Sequence, residues 1–156
     1  MFTAHPQASP EAQRLLELLN MLIGSTFRKI LWRNAAGLEL THAQAQVLFF
    51  IDQHPGCPMG KVAHTFNVTL PATTQIVDRL VHKQFLIRGT NPTDRRVATL
   101  ELTETGKALV RELETLQIEG LEPILAHMST QDRSRLITGL EVFVTAASRL
   151  HSGMAG

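Results

Sequence analysis

Residues 60–103 read GKVAHTFNVTLPATTQIVDRLVHKQFLIRGTNPTDRRVATLELT, and their order decides the fold. Val62, Ala63 and Phe66 recur at helical spacing and give a short helix from Gly60 to Phe66 an apolar stripe. Asn67-Val68-Thr69 reads as a turn. Leu70, Thr73, Ile76, Val77 and Leu80 then place a second stripe on a helix running from Leu70 to about Gln84. Pro71 falls in its first turn, where a missing amide hydrogen is tolerated. Phe85, Leu86 and Ile87 lead through Arg88 to the polar turn Thr90 to Arg96, and Val97 to Leu102 return as the second arm of a hairpin. Helix, helix and arginine-bearing hairpin is the order of a winged helix-turn-helix, in which one helix enters the major groove of DNA and a basic loop reaches the backbone or minor groove.

Outward from this stretch the apolar spacing stays helical. Ser9-Pro10-Glu11-Ala12 reads as an N-cap with proline in the first turn. Leu15, Leu16, Leu19, Leu22, Ile23, Ile30 and Leu31 carry that helix to about Asn34. Its apolar surface is broader than one buried face needs, which suits a helix serving both its own core and a partner subunit. Thr41, three residues before Gln44, caps a short helix built on Ala45, Val47, Leu48, Phe49 and Ile51. Two prolines and a glycine between His54 and Pro58 end it. Thr103 caps a long helix from Glu104, in which Gly120 and Pro123 predict a bend. Ser129, three residues before Asp132, starts a final helix bearing Leu136, Ile137, Leu140, Phe143 and Leu150. The expected fold is mainly α with a small β-hairpin wing. A loose arm covers residues 1–10, a winged helix-turn-helix residues 37–103, long N- and C-terminal helices residues 11–36 and 104–151, and a fraying tail residues 152–156.

At 156 residues and 44% hydrophobic, the chain can bury a real apolar core as one domain. No apolar run is long enough to span a bilayer, and Met1 to Pro10 lacks the basic-then-apolar order of a leader, so a cytoplasmic protein without a membrane partner is expected. The single Cys57 excludes an intrachain disulfide framework and a clustered thiolate metal site. The seven histidines have no spacing that forces a metal site, and neither metal nor cofactor is expected. No nucleophile–base motif, phosphate-cradling glycine loop or acid pair demands catalysis, which argues against an enzyme. The net charge of +1 says little, but its distribution says more. Residues 60–107 hold seven Lys or Arg against four Asp or Glu, residues 1–59 balance, and residues 108–156 carry six acids against four bases. The positive part of the chain is thus the part that would attract phosphate.

On the second helix of the pair, the apolar stripe leaves Ala72, Thr74, Gln75, Asp78 and Arg79 for solvent or DNA. Gln75 suits adenine, and Thr74 suits a thymine methyl or a base edge, which makes them the expected base readers. Thr69 and Thr73 lie near the helix start, where backbone amides favour a phosphate. Arg79 and Lys83 are expected on the DNA backbone. In the hairpin loop Arg95 and Arg96 are expected on DNA, Arg95 at the tip, with Asp94 pairing to Arg96 and holding the loop. Plainer readings stand beside these: Gln75 as mere surface, Arg79 paired with Asp78, and a salt-bridged turn with no partner.

With these residues in place, the chain resembles the MarR family of bacterial transcriptional regulators over nearly all of residues 11–150. The resemblance rests on Val62-Ala63, Val68-Thr69, Ile76-Val77-Asp78-Arg79-Leu80, Phe85-Leu86-Ile87-Arg88, Asp94-Arg95-Arg96 and Leu102-Thr103-Glu104-Thr105-Gly106. It implies a homodimer whose terminal helical regions, residues 11–36 and 104–151, interlock. It also implies two winged modules on a pseudo-palindromic operator of double-stranded DNA. Repression of its own or adjacent genes would be relieved by a small anionic or phenolic effector. The effector cleft that the resemblance implies would be enclosed by the N-terminal helix, the Leu38 to Phe50 region and the helix after Thr103. Met21, Phe27, Trp32 and Phe49 are its apolar candidates, and Arg28, Arg33 and His42 are candidates to meet an anion.

Two positions depart from the family pattern. Gln84 stands where glycine is common after the recognition helix, which predicts either a different exit or a strained non-glycine turn. Leu70-Pro71 replaces polar residues at that helix's start. These departures and the modest positive charge keep open a winged-helix interaction module without sequence-specific DNA binding. Cys57 lies between prolines with only His54 and Lys61 nearby to lower its pKa, and is expected to be an inert or surface thiol.

Overall fold

The computed structural model describes residues 9–23, 39–91, 93–94 and 96–153. Most of the expected N-terminal arm, the expected continuation of the first helix to Asn34 and the end of the tail lie outside the described residues. Helix α1 (Pro10–Ile23) starts on Ser9, whose hydroxyl oxygen accepts the Ala12 N–H at 3.1 Å while Pro10 fills the first turn. Helix α2 (His42–Gln53) opens with a reciprocal cap. The Gln44 N–H donates to Thr41 Oγ1 at 3.2 Å, and the Thr41 N–H donates to Gln44 Oε1 at 2.9 Å. Two orphan donors are satisfied at once, as the Thr41/Gln44 spacing predicted.

His54 closes α2 by stacking on Phe50, with ring centroids 4.4 Å apart, and Gly56 turns the chain at φ 74°. The helix does break here, yet the segment is more than a loop. Cys57–Pro58 forms a short strand, β1, which the sequence reading left unassigned. It pairs antiparallel with β3 (Ala98–Leu102), Cys57 opposite Leu100 and Pro58 opposite Thr99. A residue before proline is pushed toward extended geometry, and a proline without an N–H is tolerated on an edge strand. This pairing buries Cys57 to 5% exposure, so the surface-thiol alternative is corrected. Burial pushes its thiol pKa up, an effect that the nearby Lys61 ammonium opposes in part.

Helix α3 (Met59–Thr65) and helix α4 (Leu70–His82) follow, joined by a tight turn. In that turn the Asn67 N–H donates to the His64 carbonyl at 3.2 Å and the Val68 N–H to the Ala63 carbonyl at 3.0 Å. Asn67 sits at φ 50°, a left-handed conformation that asparagine tolerates better than most residues. Strand β2 (Leu86–Thr90) then pairs antiparallel with β3, from Leu86 opposite Leu102 to Thr90 opposite Ala98. The sheet order is β1-β3-β2, so β3 is the central strand.

The core lies where these elements converge. Ala45, Leu48 and Ile51 of α2 meet Val62 of α3, Val77 and Leu80 of α4, Leu86 of β2, and Leu100 and Leu102 of β3. Leu109, Val110 and Leu113, on helix α5 (Glu104–Ala126), complete it. Beyond Leu86 every residue of β2 is exposed while β3 stays buried at Thr99, Leu100 and Leu102, so β2 is an outer strand of the sheet and the turn that follows it forms the tip of the wing. Helix α5 begins on Thr103, whose Oγ1 accepts the Gly106 N–H at 2.9 Å, and it stays one helix through Gly120 and Pro123.

The chain forms two compact units that divide between Gln117 and Ile118. The second contains the end of α5 and helix α6 (Thr130–Gly153). At the start of α6, the Ser129 hydroxyl oxygen accepts the Asp132 N–H at 3.1 Å and its O–H donates to Asp132 Oδ2 at 2.7 Å. Among the described residues no helix is long and apolar enough to cross a membrane.

Candidate nucleic-acid interface

The face that α4 turns outward follows from the face it buries. Thr73, Val77 and Leu80 recur at i, i+4 and i+7 and are nearly or fully buried, which leaves Gln75, Asp78, Arg79 and His82 exposed on the other side. The helix starts on Thr69, whose side-chain oxygen accepts the Ala72 N–H at 3.4 Å, with Pro71 in the first turn. Leu70 at that end is 52% exposed.

The expected polar residues of this helix separate into two groups. Gln75 and Arg79 are exposed, and among the described residues neither forms an ion pair. Thr73 is 1% exposed and its hydroxyl donates to the Thr69 carbonyl at 3.1 Å. Its expected place on DNA is therefore corrected: the side chain supports the helix start from inside. Thr74 is half-buried, and its hydroxyl donates to the Leu70 carbonyl at 2.9 Å, with the Met59 sulfur at 3.4 Å. Lys83 is half-buried, and its ammonium donates to the Glu39 carbonyl oxygen at 2.7 Å.

Asp78 does not pair with Arg79, its neighbour. It accepts from Arg88 of β2 at 2.6 Å, an ion pair that joins α4 to the first strand of the wing. The other ion pairs among the described residues run i to i+3 along single helices. Sequence reading missed this one because Asp78 and Arg88 lie on different elements, and only the packing of α4 against β2 brings them together.

The wing loop is organised by side chains bonded to its own backbone. Asn91 Oδ1 accepts the Thr93 N–H at 2.9 Å and the Thr93 hydroxyl at 2.7 Å. Asp94 Oδ1 accepts the Arg96 N–H at 3.0 Å, while the Val97 N–H donates to the Asp94 carbonyl at 3.0 Å. Asp94 therefore engages the backbone of Arg96, and the expected carboxylate–guanidinium pair is absent among the described residues. The Arg96 side chain is exposed, and Arg95 lies outside the described residues.

The turn expected at Gln84 is a strained one. Gln84 sits at φ 61°, with its N–H donating to the Val81 carbonyl at 2.9 Å. The following Phe85 N–H donates to the Leu80 carbonyl at 2.9 Å. These are the paired bonds of a left-handed helix end at which glycine is usual.

Of the expected effector residues, Met21 is 71% exposed on α1, His42 is the exposed first residue of α2, and Phe49 is half-buried against the core. Phe27, Arg28, Trp32 and Arg33 lie outside the described residues.

A helix pair with its outer face free, followed by a hairpin, is the geometry of a winged helix-turn-helix. Residues 40–98 match the family described as the MarR family. The chain is also 30% identical over 105 residues to the HTH-type transcriptional repressor MdtR of Bacillus subtilis (strain 168), a match covering 65% of this chain and 68% of that protein. The chain belongs to the MarR family. It is a DNA-binding transcriptional regulator of winged helix-turn-helix type, and MarR-family regulators are not enzymes. Solved structures agree on the fold. The crystal structure of MarR superposes with a TM-score of 0.77 at 21% identity, covering 96% of this chain and 99% of that one. Streptococcus pneumoniae FabT, in complex with DNA, gives a TM-score of 0.66 at 21% identity, covering 88% and 95%. In MarR-family terms α4 is the recognition helix and the β2–β3 hairpin is the wing.

Proposed function

We propose that this MarR-family regulator works as a homodimer that represses its own or adjacent genes from a pseudo-palindromic operator and is released by a small anionic or phenolic ligand. One observation carries the DNA reading: Gln75 and Arg79 are exposed on the recognition helix, and Arg96 is exposed on the wing. In this reading Gln75 reads base edges, Arg79, Arg95 and Arg96 hold backbone or minor groove, and Thr69 caps the helix that presents them. A dimer is supported by large apolar side chains left exposed on a single chain. These include Leu15, Leu16, Leu18, Met21 and Leu22 on α1, and separately Leu136, Ile137, Leu140, Phe143 and Val144 on α6. A soluble monomer rarely leaves such contiguous apolar surface uncovered. Met21, His42 and Phe49, with Phe27, Arg28, Trp32 and Arg33, are the proposed effector contacts. A ligand there relieves repression only through unequal affinity for the DNA-competent and incompetent states.

The test is fluorescence anisotropy with duplexes covering the intergenic regions on both sides of the gene, at several salt concentrations, alongside a measurement of mass in solution. A dimer that selects one inverted repeat, with affinity falling as salt rises, is the expected result. Arg96→Ala weakens binding across all sequences and lowers the salt slope by about 1, whereas Gln75→Ala relaxes discrimination at one base pair of each half-site. A monomer, or a dimer without preference for any of these duplexes, refutes the proposal.

A further inference from the structure

Two residues at the end of the recognition helix are tied to connectors far away in the chain. Lys83, its C-cap, reaches back 44 positions to donate to the Glu39 carbonyl at 2.7 Å. Gln84, the next residue, offers its own carbonyl oxygen to the Thr103 hydroxyl at 2.6 Å. Thr103 also donates its N–H to the Phe85 carbonyl at 3.1 Å and accepts the Gly106 N–H at 2.9 Å. Glu39 stands two residues before the cap of α2, and Thr103 is the residue on which α5 begins. The two ties therefore land on either side of the winged module, at its entry and its exit.

Backbone geometry marks the same places. Glu39 sits at φ 49° and Gln84 at φ 61°, both non-glycine residues in the left-handed region. Such conformations persist only where surrounding contacts over-determine them. At Glu39 that conformation accompanies a carbonyl held by Lys83, and at Gln84 it accompanies a carbonyl held by Thr103.

We infer that Lys83 is a positioning residue for operator binding and not a phosphate contact: its ammonium fastens the end of the recognition helix to the entry connector at Glu39, while Thr103 fastens the adjoining residue to the exit connector. Core contacts through Val77 and Leu80 and the Asp78–Arg88 ion pair hold the body of the helix, and the two ties secure its end. With both connectors attached at one end, the angle at which Gln75 and Arg79 meet a groove is set by the segments that flank the module. Lys83 acts on DNA through this placement. The inference rests on the DNA-binding reading above.

The test compares the full-length protein with Lys83→Met, which keeps the aliphatic stem and removes the ammonium, and Lys83→Arg, which keeps a long donor. Two duplexes are used: the intergenic sequence selected by the unsubstituted protein, and a random sequence of equal length. For Lys83→Met, operator affinity is expected to fall about 5-fold or more. Affinity for the random duplex and its salt slope stay unchanged, and amide exchange across Glu39 to Thr41 quickens in the absence of DNA. Lys83→Arg restores operator affinity and exchange protection. A phosphate contact predicts instead a uniform loss on both duplexes, a salt slope smaller by about 0.9 and no change in exchange without DNA, and that pattern overturns the inference. Unchanged operator affinity in Lys83→Met overturns it as well. Failure of the unsubstituted protein to select any duplex removes the underlying reading, and is told apart because no substitution is involved.

Discussion

Replacing Gly106 with alanine tests the junction between recognition helix and α5 most sharply. A Cβ built at Gly106 would lie 2.1 Å from the Phe85 carbonyl oxygen, 3.0 Å from its carbon and 3.2 Å from Leu102 Cδ2. The obstacle is main chain and cannot rotate away, so Phe85 and α5 must separate by about 1 Å to reach ordinary contact. That movement strains the Thr103 N–H bond to the same carbonyl and the Thr103 hydroxyl bond to Gln84. Overpacking of this kind costs about 1–3 kcal/mol, and two weakened hydrogen bonds add about 0.5–1.5 kcal/mol each. Alanine's better helix propensity returns about 0.5–1 kcal/mol, because Gly106 has ordinary helical geometry. The net expectation is a loss of about 1–5 kcal/mol, or roughly 2–20 °C in Tm for a chain of this size. Urea unfolding followed by circular dichroism, at one fixed protein concentration so that association does not confuse the comparison, measures it. Gly60→Ala is the control, since Gly60 is exposed, a Cβ there meets nothing within 4 Å and α3 gains a better helix former. If Gly106→Ala matched that control, the close approach of Phe85 to α5 would be wrong.

Gln84→Gly removes the left-handed strain at the end of the recognition helix and is expected to raise stability by about 0.5–1 kcal/mol, read by the same urea titration; a loss of stability would show that the Gln84 side chain contributes more than its backbone costs. Cys57 is expected to react with a disulfide reagent far more slowly in the native protein than in denaturant, because burial keeps the thiol neutral. The linked pH effect has a definite sign. A thiol whose folded pKa is raised leaves stability intact below its ordinary value of 9.0 and lowers it as pH climbs from there through the folded value. Cys57→Ala should flatten that alkaline decline, and equal reactivity in native and denatured protein would contradict the burial of the thiol.

What the sequence determined by itself is what depends on near neighbours. The Thr41/Gln44 cap, the Thr103 and Ser129 caps, the apolar stripes of α3 and α4 and the polar turn of the wing are all written within three or four residues of one another. The same local logic flagged Gln84, since a helix end that lacks glycine must strain or reroute, and it strains. Position on the recognition helix is likewise periodic, which is why Gln75 and Arg79 were legible as outward residues. Tertiary structure decided the partners. Thr73 could face a groove or the core until packing turned it inward. Lys83 has its observed partner in the Glu39 carbonyl, 44 residues away and 2.7 Å distant, which no local spacing announces. Asp78 had an adjacent arginine and took Arg88 instead, because α4 packs against β2. Cys57-Pro58 reads as a break along the chain and becomes a strand only when β3 supplies the opposite ladder. Propensity and capping act over one turn of helix, whereas the choice among polar partners is made by whichever distant backbone the folded core brings within hydrogen-bonding distance.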